Sequence, residues 1–116
     1  GEKQGRKIAV LGDMLELGDR AAAEHYRIGR IAAERVDFVL AYGDSADRVI
    51  GGCITGGMPD RRAQAFTDQT ALACELQRIA KPGDVILFKG SHSMHMERVL
   101  EAFMKYEKDL NGGDPA

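Results

Sequence analysis

The sequence lacks most of the features that would assign it to a specialised class. It has two cysteines in 116 residues, Cys53 and Cys74, with no CxxC pair, so neither a disulfide framework nor a cysteine zinc site is written into it. No 18-residue apolar run and no signal-like segment occurs, so a reduced, cytoplasmic protein without a transmembrane segment is expected. An excess of positive charge is also missing. Sixteen Lys and Arg stand against 18 Asp and Glu, a formal charge of −2, and no block of like charges appears, so no nucleic-acid partner is expected. Internal repeats and low-complexity segments are absent. Two phosphate signatures are missing as well. Lys89-Gly90-Ser91 lacks the order and the preceding glycine of GxxxxGK[ST], and no GxGxxG follows any strand-like run. The chain is therefore not a self-sufficient nucleotide-binding domain of either type.

What is present fits one globular domain with a modest core, at 44% hydrophobic and 29% charged residues. Lys7-Ile8-Ala9-Val10-Leu11, closed by Gly12, is a short, continuously apolar run of the kind found in strands buried on both faces. Between Arg20 and Arg35, Ala21, Ile28, Ile31, Ala32 and the following Val36 recur at helical spacing opposite Glu24, Arg27, Arg30 and Glu34. Phe38-Val39-Leu40-Ala41-Tyr42 reads as a second strand. Gly43-Asp44-Ser45 supplies a turn and an N-cap for a short helix carrying Ala46, Val49 and Ile50, which GGCITGGMP is expected to break. A weaker strand, Ala63-Gln64-Ala65-Phe66, leads through Thr67-Asp68 into a helix with Leu72, Leu76 and Ile79 on one stripe. Lys81-Pro82-Gly83-Asp84 ends it, and Val85-Ile86-Leu87-Phe88 follows as a fourth strand. A last helix is expected from about Met96 to Lys108, with Met96, Val99, Leu100, Phe103 and Met104 on one face.

This alternation predicts an α/β domain, a small and mostly parallel sheet with helices on its faces and right-handed crossovers. Ligands of such sheets bind beyond the carboxyl ends of the strands, so the loops opening at Gly12, Gly43, Thr67 and Lys89 should share one rim. The first and last of these carry the candidate chemistry. Gly90 lets backbone approach a ligand, the Ser91 hydroxyl and free amides at a helix start suit an anion, and Lys89 supplies charge, while Ser91 could equally just cap or turn the chain. Asp13 and Glu16, bracketing Met14 and Leu15, could accept hydrogen bonds from hydroxyl groups or hold an ammonium, and could equally be solvated loop acids. His92 and His95, interleaved with Met94 and Met96, invite a metal reading, but too few further ligands exist for a structural or catalytic zinc, so none is expected. His25 is expected at the surface of its helix. Both cysteines are expected as small core residues.

Taken together, IAVLGDMLELGD, EHYRIG, AYGDSA, FTDQTAL and ILFKGSHSMHMERVLEAF resemble, in order, the C-terminal domain of the Mur ligase family, in the branch that joins D-Ala-D-Ala to UDP-MurNAc-tripeptide. The GDMxELG and KGS loops are specific as a pair. The resemblance implies a three-layer, Rossmann-like domain at about residues 7–108, lacking the first strand and helix that carry a YNANP-like segment in the family. Residues 1–6 read as a cloning or linker remnant, as expected of a piece cut from a longer protein, and 109–116 as a flexible tail. It further implies an ATP-dependent amide ligase whose central domain binds ATP and Mg, and whose partners here are D-Ala-D-Ala, UDP-MurNAc-tripeptide and the protein's own N-terminal and central domains. Asp13, Met14 and Glu16 match the nucleotide-side loop. Lys89, Gly90, Ser91 and His92 match the loop beside the D-Ala-D-Ala carboxylate, with His92 standing where many members carry Arg. The domain alone is expected to be inactive. The alternative is a stand-alone Rossmann-like module that binds a small anion.

Overall fold

The computed structural model describes residues 5–14 and 17–90. The last expected helix, Glu16, Ser91, His92, residues 1–4 and the tail lie outside these. Four strands, β1 (Lys7–Gly12), β2 (Phe38–Tyr42), β3 (Ala63–Phe66) and β4 (Val85–Lys89), form one sheet in the order β3-β2-β1-β4. Every pairing is parallel, where a mostly parallel sheet was expected. Three helices connect them: α1 (Ala21–Arg35), α2 (Ala46–Thr55) and α3 (Gln69–Ile79).

Continuous apolar strands bury both faces, and their alternation sorts side chains between two half-cores. Ile8, Val10 and Leu40 face α3, where Leu72, Leu76 and Ile79 complete one cluster. Ala9, Val39 and Ala41 face the other way and pack with Val49 and Cys53 of α2 and with Ala32 and Ala33 of α1. Burying each fully enclosed Leu, Ile or Val stabilises the fold by about 1.5–3 kcal/mol. The result is three layers, with α1 and α2 on one face and α3 on the other.

The small residues on the α1/α2 face have a reason in the helix pair above it. A Cβ on Gly29 would sit 1.9 Å from the Val49 carbonyl oxygen, and one on Gly52 would sit 2.0 Å from that of Tyr26. Glycine at both positions lets the two backbones touch. The break expected at GGCITGGMP falls late in that stretch: α2 runs through Gly51 and Gly52 to Thr55, and the helix penalty of about 1 kcal/mol at Gly52 is offset by the close crossing. The helix ends at Thr55, and Gly57 follows the Gly56 cap at φ +101°. There the Gly57 amide donates to the Ile54 carbonyl and the Met58 amide to the Cys53 carbonyl, a Schellman closure.

Asp68 caps α3 as expected, accepting from the Thr70 amide at 3.1 Å. At the amino ends of the strands, Arg6 precedes β1. Its guanidinium meets both carboxylate oxygens of Asp84, at 3.1 and 2.7 Å, and donates to the Ile79 carbonyl. It also lies over the Phe38 ring. The Arg6 hydrogen bonds hold the Asp84 carboxyl below the usual aspartate range.

Candidate functional site

The strand order fixes where a ligand can approach. The chain winds from β1 through β2 to β3 in one direction, then crosses to the far side of β1 to form β4. The sheet therefore changes direction between β1 and β4, and the crevice at their carboxyl ends is the switch point. Leu11 pairs in register with Lys89 across this boundary. The GDM and KGS loops, separated by about 75 residues of sequence, leave the sheet side by side.

On the β1 side, Asp13 is buried, 7% exposed, and its two carboxylate oxygens accept from the backbone amides of Asp44 and Ser45, each at 2.9 Å. These amides lead into α2. The Ser45 side chain does not make the expected cap bond, and an acid from the β1 loop instead holds the two amides just before the helix. A carboxylate at a helix start also meets the positive end of the backbone dipole. Gly43 makes room for it: its φ is +116°, and a Cβ there would lie 2.6 Å from the Asp13 carboxyl carbon.

Next in the loop, Met14 is 43% exposed, while its amide points inward and donates to Nε2 of His25 at 2.9 Å. His25 is 1% exposed, which corrects the expectation of a surface residue. Its Nδ1 lies 2.7 Å from the Ala21 carbonyl oxygen. An amide can only donate and a carbonyl can only accept, so the ring carries its proton on Nδ1 and offers Nε2 as acceptor. The signal was present in the spacing. Ala21, His25, Ile28 and Ala32 follow the helical repeat, which puts the imidazole on the apolar stripe of α1.

On the β4 side, Lys89 and Gly90 are exposed at the rim. A groove of about 630 Å³ descends from them on the α1 side of the sheet. Met14, His25, Lys89 and Gly90 bound its upper end, and Leu11 and Leu87 its floor. The structure thus brings together Asp13 and Met14 with Lys89 and Gly90. Glu16, Ser91 and His92 lie outside the described residues.

The cysteines divide. Cys53 is fully buried, as expected, and burial pushes its thiol up to about 11, which removes it as a nucleophile at neutral pH. Cys74 is exposed, not in the core. It stands off the Leu72, Leu76 and Ile79 stripe. Among the described residues, no three His, Cys, Asp or Glu side chains converge as metal ligands, and no helix is long and apolar enough to cross a membrane.

Residues 1–92 match the family described as the Mur ligase, glutamate ligase domain. The chain belongs to this family. It is 35% identical over 101 residues to the UDP-N-acetylmuramoyl-tripeptide–D-alanyl-D-alanine ligase of Bacillus subtilis strain 168, covering 86% of this chain and 22% of that protein. Among solved structures it resembles MurF from Acinetobacter baumannii, with a TM-score of 0.76 and 32% identity over 88% of this chain and 23% of the other. It also resembles the Thermotoga maritima MurF ligase in complex with ADP, with a TM-score of 0.72 and 32% identity over 87% of this chain and 22% of the other. The chain thus spans about a fifth of the Mur ligases it matches, and the three-layer α/β architecture expected of the family is the one observed.

Proposed function

We propose that this chain is the C-terminal domain of an ATP-dependent amide ligase that adds D-Ala-D-Ala to UDP-MurNAc-tripeptide in cytoplasmic peptidoglycan synthesis. The observation that carries the reading is the pairing of Leu11 with Lys89, which sets the two loops on either side of one switch point. The names of the relatives and the ADP bound to one of them support the choice of reaction.

In this reading the two loops divide the work. Lys89 supplies a cation for the dipeptide carboxylate, and Gly90 lets backbone approach it. Ser91 adds a hydroxyl donor, and His92 a weaker partner than Arg. Asp13, Met14 and Glu16 face the nucleotide, with the fixed Asp13 carboxylate offering its remaining lone pairs to hydroxyl groups. Mg and most ATP contacts are assigned to the central domain, and two acceptor positions of Asp13 are already used. Bound magnesium would neutralise phosphate charge there. This domain's contribution is to orient the dipeptide amine and exclude water when it closes on its own N-terminal and central domains.

A preceding strand and helix fit the same picture. Val85 and Leu87, on the α1 side of β4, are 58% and 51% exposed. A right-handed crossover from a strand beyond β4 into β1 would lay its helix over them.

The test compares the isolated chain with the intact protein in an assay of ATP-dependent D-Ala-D-Ala ligation. The intact protein should ligate and the isolated chain should not. Turnover by the chain alone would sink the domain assignment.

A further inference from the structure

The imidazole of His25 has no role in the proposed chemistry, yet it is among the most buried side chains in the molecule. A buried polar ring at this position needs both nitrogens satisfied. Its two partners come from different places: the first turn of α1 through the Ala21 carbonyl, and the β1 rim loop through the Met14 amide. The residue beside Met14, Asp13, is anchored in turn to the two amides just before α2. His25 and Asp13 therefore hold adjacent residues of one loop from two sides. One fixes the backbone of Met14 inward, and the other fixes a side chain across to α2. With both in place the Met14 side chain is turned outward at the mouth of the groove.

We propose that His25 is a positioning residue for the nucleotide-side loop, holding the Met14 backbone so that Asp13 and Met14 present a preformed surface at the switch point. This rests on the reading of that loop as the nucleotide side of the site. His25 acts through the loop and touches no substrate. Only the tautomer with its proton on Nδ1 serves, because any donor at Nε2 would face the Met14 amide hydrogen. A phenyl ring would fill the volume but leave that amide without an acceptor. A glutamine amide oxygen could replace Nε2, so His25→Gln should retain what His25→Phe loses.

The experiment uses the intact ligase carrying this domain, as wild type, His25→Phe and His25→Gln. Amide hydrogen exchange is read on the peptide covering residues 11–14 and on β2 as a control for the fold, together with KM for ATP and kcat. His25→Phe should speed exchange in 11–14 by about five- to tenfold relative to β2, and raise KM for ATP more than it lowers kcat. His25→Gln should restore most of both. Exchange in 11–14 that is unchanged, or that rises only in step with β2 in both variants, overturns the proposal. If exchange responds as expected while KM for ATP does not, the loop is held by His25 but is not the nucleotide side, and the proposal falls with that reading. Exchange alone therefore tests the positioning, and KM tests the assignment of the loop.

Discussion

Asp13 accepts a hydrogen bond from the Ser45 amide at 2.9 Å, so the acid that follows β1 braces the entry to the helix that follows β2. It makes the same bond to Asp44. The loop that carries candidate chemistry is thereby also a tertiary brace, and a substitution at Asp13 must be read for stability before it is read for function.

Asp13→Ala should lower stability by about 1–2 kcal/mol, the cost of losing a charged brace at the helix entry and leaving two amides without their acceptor. For a domain of this size that corresponds to a fall in Tm of roughly 4–8 °C. Asp13→Asn keeps one carbonyl acceptor and should lose less. Thermal unfolding followed by circular dichroism checks the order, and equal Tm values for the three proteins would contradict the bracing role.

The helix crossing makes a second expectation. An alanine at Gly52 or Gly29 would raise intrinsic helix propensity by about 1 kcal/mol, yet its methyl group would run into a backbone carbonyl of the facing helix. Steric overlap should win, because backbone cannot swing aside as a side chain can. Each variant should be destabilised by about 1–3 kcal/mol in urea unfolding. A gain in stability would show that the helices do not touch at these positions.

The Arg6–Asp84 pair gives a pH dependence whose sign is fixed. Arg6 hydrogen bonds hold the folded-state Asp84 carboxyl below its ordinary value, which is about 3.9 in an unfolded chain. The group therefore contributes stability above about pH 4 that is lost as pH falls through the lower, folded-state value. Asp84→Asn should cost about 2 kcal/mol at neutral pH. The gap between it and wild type should narrow below pH 4. A gap that is constant from pH 7 to pH 3 would remove the ion pair from the account.

The sequence was most readable where one physical cause dominated. Each strand is a run of apolar residues set between turn formers, and such runs have few alternatives in a chain of alternating elements. The all-parallel sheet followed from that alternation. The misreadings came where two causes compete. The helix end inside GGCITGGMP was legible, but which glycines make it was not, because only the facing Tyr26 backbone turns Gly52 into a packing device. His25 read as a surface residue because imidazole is polar, although its helical phase placed it on the apolar stripe. Its partner, the Met14 amide, has no side-chain signature in sequence at all. Cys74 was the reverse case, a small apolar residue whose phase on α3 already pointed outward.

Lys89 and Gly90 stand out in the sequence because a cation and a glycine directly follow an apolar strand. That they adjoin Asp13 required the strand order, since nothing in the local sequence says that β4 lies beside β1 and not beside β3.

The most direct test of the two-loop site is Lys89→Ala in the intact ligase. Lys89 is exposed at the end of an edge strand, so the variant should keep the wild-type Tm. Loss of a charge-assisted contact of about 1.5–3 kcal/mol should raise KM for D-Ala-D-Ala by roughly ten- to a hundredfold, with KM for ATP changed far less. Unchanged KM for D-Ala-D-Ala in a folded, active variant would contradict a dipeptide carboxylate at this rim.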